Sequence, residues 1–435
     1  MFIKINPMIM KTRIISLLLL ILFILTDLNA QSFKAGAAKR VITPETLIPI
    51  SGGMGEPVMP VGKVGDLFVR ALVFEKNSTR VAIVSVDNLG WPAYLGDMSR
   101  RLVKGIAPEN ILIGATHTHS APDAYGFPDE KGNTGADLKY LDWCITRIAE
   151  AINEAVANLQ PVYLKTAVGE AKGKIAYNYY AEKLYDPRCG VIQVIASSGN
   201  KIGKPVATLV NYAIHPEVMG TGAQTLGPDL CGPLYDRIES KTGGMAIFMN
   251  SAQGGMVTAD TRLENGQEAN DWNECIRIGN LLADEALRII EPAPVQEDPG
   301  LYSASKSIRF PVESEALRYV FQYSPVALKY RTVNDDFSAV ATRINLINIG
   351  EAQILTIPGE ALPNIGFYVK RKMKSDQSFL FGLTNDAFGY MLTKEDFGGF
   401  ERYNYISRTS LGEMTGNIYE EEAIKFINES PSPSK

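Results

Sequence analysis

Ile111-Leu112-Ile113-Gly114-Ala115-Thr116-His117-Thr118-His119-Ser120 is the stretch on which the reading turns. Its first five residues are apolar and mostly aliphatic, the composition of a short strand buried on both faces. The next five are polar and hold two of the chain's three histidines. In an extended segment, side chains two apart share a face, so His117 and His119 can enter one site from one loop. Open α/β sheets gather ligands at the carboxyl ends of their strands, which is where this pair falls. The third histidine, His215, repeats the arrangement by following the apolar run 206–214. A lone histidine in such a place is most often a core or surface residue. Three at equivalent strand ends argue for a shared site.

Outward from this stretch, runs at 68–75, 80–86, 245–249, 342–349 and 353–357 read as further buried strands. Helices interleave with them. Residues 136–159 carry Leu138, Leu141, Cys144, Ile145, Ile148, Ile152, Val156 and Leu159 at helical spacing, and 273–290 repeats the pattern. The expected fold class is therefore mixed α/β, a mixed sheet layered with helices. There is no internal repeat, and no Gly/Ser-rich linker divides the body, so one domain is expected over 31–428. The Pro/Ser-rich end, 429–435, is expected to be disordered.

Lys11 and Arg13 precede an apolar run over 14–25, and polar Thr26, Asp27 and Asn29 lead to Ala30. That is the layout of a secretory signal peptide over 1–30, with a core shorter than the ~20 residues that span a bilayer. The mature protein is expected to be secreted or periplasmic, with no transmembrane span. Setting aside Lys4, Lys11, Arg13 and Asp27 from 43 basic and 48 acidic residues leaves 40 and 47. This mild acidic excess argues against nucleic acid as a partner. Cys144, Cys189, Cys231 and Cys275 include no C-x-x-C pair, which excludes a thiolate zinc site and leaves up to three pairings open. Cys144 sits on an apolar helical face, as a small buried hydrophobe does.

Neutral imidazoles suit a metal, and a hydrolytic metal site commonly adds a carboxylate and keeps room for water. Glu360 is the candidate, since the run 353–357 leads into Pro358-Gly359-Glu360 as other strands lead to histidines. On its own it reads as a solvated loop carboxylate. Tyr390, in Asn385-Asp386-Ala387-Phe388-Gly389-Tyr390, reads on composition as a core or rim aromatic.

Taken together, Ala115-Thr116-His117-Thr118-His119-Ser120, Ala213-Ile214-His215, Pro358-Gly359-Glu360 and Gly382-Leu383-Thr384-Asn385 leading to Tyr390 stand in the order of the neutral, non-lysosomal ceramidases. Ile42-Thr43-Pro44 also resembles that family's opening turn, so the resemblance spans most of the mature chain. It implies the family's catalytic domain, without the C-terminal immunoglobulin-like domain of the full-length enzymes. It further implies one Zn2+ held by His117, His215, Glu360 and Tyr390, and a zinc-dependent amidohydrolase acting on an N-acyl sphingosine (sphingolipid) or similar lipid-like acyl substrate. His119 is implied to contact the reacting amide. Tyr403 is the nearest match to a family tyrosine that steadies the oxyanion, with spacing off by one.

Two segments depart from the family pattern. Gly254-Gly255-Met256-Val257-Thr258-Ala259-Asp260 replaces a Gly-Asp-Val-Ser-Pro-Asn segment and its serine, and Tyr177-Asn178-Tyr179-Tyr180 replaces an Asn-Arg-Ser segment and its arginine. Metal ligands set the reaction class and pocket contacts set the substrate, so an acyl hydrolase that is poor on ceramide is expected. Two alternatives stand beside it: a zinc hydrolase of another exported acyl substrate, such as an acylated glycan, and a non-catalytic zinc-stabilised binding protein.

Overall fold

The computed structural model describes residues 32–129, 131–331 and 337–434, and the leader expected at 1–30 lies outside them. Eight strands form the first sheet: β1 (Lys34–Val41), β2 (Phe68–Lys76), β3 (Thr79–Val86), β4 (Ile111–Ala115), β5 (Gln160–Glu170), β6 (Arg188–Ala196), β7 (Pro205–Tyr212) and β8 (Met245–Asn250). They pair in the order β8-β7-β6-β5-β1-β2-β3-β4. The ladder is antiparallel except at its two ends, where β7 runs parallel to β8 and β3 parallel to β4. Four helices cover one face: α1 (Ala93–Leu102), α2 (Leu138–Ala157), α3 (Cys231–Thr242) and α4 (Trp272–Ile290). Of these, α1 and α3 are the crossovers that parallel pairing requires.

A second sheet, β9 (Leu301–Pro311), β10 (Ala339–Ile349), β11 (Ala352–Thr356) and β12 (Gln377–Phe381), packs on the other face. Alternation along the strands explains the layering. Val84, Ile111 and Ile113 point toward α1 and α2, whereas Ile83 and Leu112 meet Ile347, Ile354, Phe379 and Phe381 of the second sheet. That sheet buries its other face, with Leu346, Leu355 and Leu380, under α7 (Pro363–Lys370) and α8 (Thr415–Glu429); α5 (Glu315–Tyr323) and α6 (Pro325–Tyr330) precede them in the chain. The result is a four-layer mixed α/β fold of helices, sheet, sheet and helices.

The two long helices follow the expected spans 136–159 and 273–290. Each starts at an aspartate whose carboxylate accepts from first-turn amides: Asp137 from Lys139 and Tyr140, Asp271 from Glu274. The expected strand 206–214 stops at Tyr212, because the next amides leave the ladder: Ile214 N donates to Asn250 Oδ1 and His215 N to the Val257 carbonyl. All four cysteines are buried and unpaired, with Cys144 in the core beneath α2. Side chains of the body reach the last described residues. Asn348 Nδ2 donates to the Pro431 carbonyl (2.9 Å), Lys374 Nζ to the Ser430 carbonyl (2.5 Å), and Ser430 is buried. Prolines cannot continue α8, but their free carbonyls remain acceptors for neighbouring side chains.

Candidate active site

Strand order places His117 after the last strand of the main sheet and His215 after the last but one at the opposite end. The sheet brings these ends together. Ser85 Oγ of β3 donates to the Phe248 carbonyl of β8 (2.6 Å). Fully buried Asn250 then ties both histidine loops: its Nδ2 donates to the carbonyls of Thr116 (3.1 Å) and Ile214 (2.7 Å). The second sheet delivers the carboxylate, since Glu360–Ala361 pairs with Tyr390–Met391 and sets Glu360 opposite Tyr390.

The donor atoms converge. His117 Nδ1 lies 2.6 Å from the Leu89 carbonyl, and His215 Nδ1 lies 2.8 Å from the Val257 carbonyl. A carbonyl only accepts, so each Nδ1 carries a proton and each Nε2 is the atom left to face Glu360 or a metal ion, an arrangement typical of metal-binding imidazoles. Those Nε2 atoms lie 3.4 and 3.2 Å from one oxygen, Oε2 of Glu360. His119 completes a histidine cluster whose ligand atoms all fall within 4.8 Å, a group able to hold a metal ion. Its Nδ1 is 3.4 Å from Glu217 Oε2, and its buried Nε2 has no hydrogen-bond partner among the described residues.

Backbone strain marks the loop. His117 has φ +74°, a left-handed conformation that a non-glycine residue adopts at a cost of about 1 kcal/mol. The hydrogen bond from His117 N to the Asn88 carbonyl (2.9 Å) and the Nδ1 bond to Leu89 hold it there.

The charges of these side chains act strongly on one another. Burial raises the Glu360 carboxyl, but the charge of His117 and hydrogen bonds from His117 and His215 outweigh it and hold the group well below the usual carboxylate range. Burial works against charge on His215, yet Glu360, Glu217 and the Val257 carbonyl lift it to about 9. At His119 burial wins, helped by His117 and His215, and its pKa falls well below the ordinary value despite Glu360. Burial thus favours the neutral imidazole at His119.

Tyr390 is buried, and its hydroxyl donates to Met256 Sδ (3.2 Å). Tyr390, His117, His119 and Glu360 line one cavity of about 370 Å³. Tyr403 does not line it, and packs instead on Tyr180 and Phe400. The cavity wall has Tyr405, whose ring centroid lies 5.9 Å from that of Tyr390. Tyr403 ends the 3-10 turn Glu401–Tyr403, whereas Tyr405 belongs to the short helix Asn404–Arg408 that follows. Tyr405 is 45% exposed, and partial desolvation with Glu360 and Glu217 nearby pushes its phenol up to about 12, so it remains a hydrogen-bond donor at neutral pH.

The departing segments take structural positions. Gly254 lies behind the carboxylate: a Cβ there would come 2.1 Å from the Glu360 carbonyl, and its amide donates to the Ala361 carbonyl (2.9 Å). It does not line the cavity, as does neither Gly255 nor Asn178. Asn178 is buried and folds its own turn, accepting from the amides of Tyr180 and Ala181. Sequence reasoning missed Glu217 and Tyr405; the only signal for Glu217 was its place two residues after His215.

The fold that holds this histidine and carboxylate cluster is the neutral ceramidase fold. Neutral ceramidase from Pseudomonas aeruginosa matches with a TM-score of 0.74 at 18% identity, over 93% of this chain and 76% of that one. A ceramidase complexed with C2 matches with a TM-score of 0.72, also at 18% identity, over 92% of this chain and 76% of that one. No family model and no curated protein matches the sequence. Among the described residues, no helix is long and apolar enough to cross a membrane.

Proposed function

We propose that this chain is a zinc-dependent hydrolase of acyl amides. The observation that carries the reading is the convergence of His117 Nε2 and His215 Nε2 on one oxygen of Glu360, at 3.4 and 3.2 Å. Two imidazoles with Nδ1 fixed by backbone carbonyls, neutral once a metal takes the place of the Nε2 proton, and one anionic carboxylate suit zinc, and Tyr390 is the proposed fourth ligand. Zinc held there supplies Lewis acidity and lowers the pKa of water to about 7. Around the reacting carbonyl, Tyr405 donates a hydrogen bond as charge grows on the oxygen. His119, oriented by Glu217, receives and returns a proton through its unpartnered Nε2, which a neutral imidazole can do. The apolar walls exclude water and take the acyl chain.

The substrate differs from ceramide in this reading, since no serine or arginine from the departing segments reaches the cavity. An export leader at 1–30 would put the activity outside the cytoplasm. Elemental analysis after purification without chelator, with hydrolysis of long-chain ceramide, soluble short-chain amides and esters measured side by side, tests the proposal. One zinc per chain and turnover of amides are expected. Absence of a bound transition metal, or metal content unchanged by His117→Ala and His215→Ala, would refute it.

A further inference from the structure

The segment 213–230 joins β7 to α3 and carries two parts of the site, His215 and the carboxylate that faces His119. The Glu217 side chain is 22% exposed and its Oε2 lies 3.4 Å from His119 Nδ1, so this contact depends on where the backbone sets it. That backbone is held on both sides. Before Glu217, the Pro216 carbonyl accepts from His119 N (3.1 Å), which ties the loop to the residue its carboxylate meets. After Glu217, Met219 N donates to Asp229 Oδ2 (2.9 Å), and the Val218 amide stabilises the same carboxylate.

Asp229 is built as an anchor. Its side chain is 1% exposed, and its Oδ1 accepts from Leu230 N (2.7 Å). The Asp229 carbonyl accepts from Gly232 N (3.2 Å) in the first turn of α3. α4 packs against this segment backbone to backbone, since a Cβ at Gly279 would come 2.4 Å from the Leu230 carbonyl. Asp229 has φ +53°, a left-handed conformation that such surroundings must hold in a non-glycine residue. Burial pushes its carboxyl up to about 6, against the pull of the three amides, and at neutral pH it is chiefly the ionised, stronger acceptor.

We infer that Asp229 is a positioning residue for proton transfer: by clamping the amides of Val218 and Met219 it holds the Glu217 carboxylate against His119 Nδ1, which leaves His119 Nε2 for the substrate. This rests on the reading of the site as an acyl hydrolase in which His119 moves a proton. It extends the machinery to a residue that touches neither the metal ligands nor the cavity. A plain loop anchor would have no bearing on His119, and two measurements separate the two roles.

The first is kinetic, on the zinc-loaded protein with a short-chain amide. Asp229→Asn keeps the volume of the side chain but sets an NH2 group where a backbone donor needs an acceptor. kcat should fall by about tenfold or more, as displacing a reacting group by a fraction of its radius can do, with KM held within about twofold and zinc content unchanged. In a Glu217→Ala background the same substitution should cost less than about twofold, because the group through which it acts is already gone. Equal losses in the two backgrounds, or a loss that falls on KM or zinc content and spares kcat, overturn the inference while leaving the hydrolase reading intact.

The second measurement does not depend on turnover. The chain has three histidines, so isotope labelling of histidine nitrogen gives a short spectrum in which His119 is identified by its absence from His119→Ala. Asp229→Asn and Glu217→Ala should each move the His119 Nδ1 resonance in the same direction, and the double variant should move it no further than Glu217→Ala alone. A resonance that Asp229→Asn leaves in place overturns the inference. If the native protein cleaves no amide, the hydrolase reading falls and this spectrum alone decides whether Asp229 places His119. Should Asp229→Asn not fold, Asp229→Ser, whose hydroxyl can still accept from one amide, takes its place, and failure of both to fold makes Asp229 a plain anchor and overturns the inference.

Discussion

Replacing Asn250 by alanine should loosen both histidine loops at once. The side chain is fully buried and makes four hydrogen bonds: Nδ2 to the carbonyls of Thr116 and Ile214, Oδ1 from the amides of Ile214 (3.3 Å) and Ser251 (2.9 Å). Each such bond contributes about 1 kcal/mol net, and a buried group left without a partner costs about 1–3 kcal/mol. Asn250→Ala should therefore destabilise the protein by about 3–5 kcal/mol. Because the freed carbonyls flank His117 and His215, zinc affinity should fall as well, by about 10- to 100-fold, the range for removing groups that orient metal ligands. Denaturant unfolding of the metal-free protein measures the first effect, and competition with a chelator the second. A variant within 1 kcal/mol of the native protein that also keeps its zinc affinity would refute the view that Asn250 joins the two ends of the sheet.

The remaining predictions concern the site itself. Glu360→Gln and His215→Ala should each purify with little metal, and retention of stoichiometric zinc by either would remove that residue from the ligand set. His119→Ala should keep its metal and lose about 10²- to 10⁴-fold in turnover; loss of zinc would instead make His119 the third ligand of the histidine cluster. Tyr405→Phe should lower kcat by about tenfold or more, and Tyr403→Phe should leave it within about twofold; the reverse ranking would restore the assignment by spacing. Gly254→Ala should fold poorly, since its Cβ would meet the Glu360 carbonyl at 2.1 Å, and an ordinary melting temperature would show that the loop can move away.

What could be read from the sequence depended on where each signal was stored. Residues 111–115 announced a buried strand because β4 is apolar on both faces, and α2 and α4 were plain from an apolar stripe behind an aspartate cap. β9 escaped notice because Ser303, Ser305, Lys306 and Ser307 are only partly buried or exposed, so little of its apolar pattern survives. β6 was hidden by Gln193, a polar residue in a buried run whose Nε2 donates to Thr208 Oγ1 on the next strand, 3.0 Å away. The histidines were legible individually, because each follows an apolar strand. That Glu360 meets them was not legible without family resemblance, since it depends on how the second sheet packs. Tyr405 lines the cavity and Tyr403 does not, a difference that spacing along the chain does not carry.

On the proposed function, the joining of the sheet's two ends sets when the protein can take up a metal ion. His117 comes from the first third of the chain, His215 from the middle, and Glu360 and Tyr390 from the last quarter, carried by a different sheet. No fragment that lacks the final strands contains the ligand set, and pairings so distant in sequence form late in folding. Metal capture is thereby a completion signal. An unfinished chain would offer a competing cation only part of the proposed set, and the ion loaded would be the one available where the last strand docks.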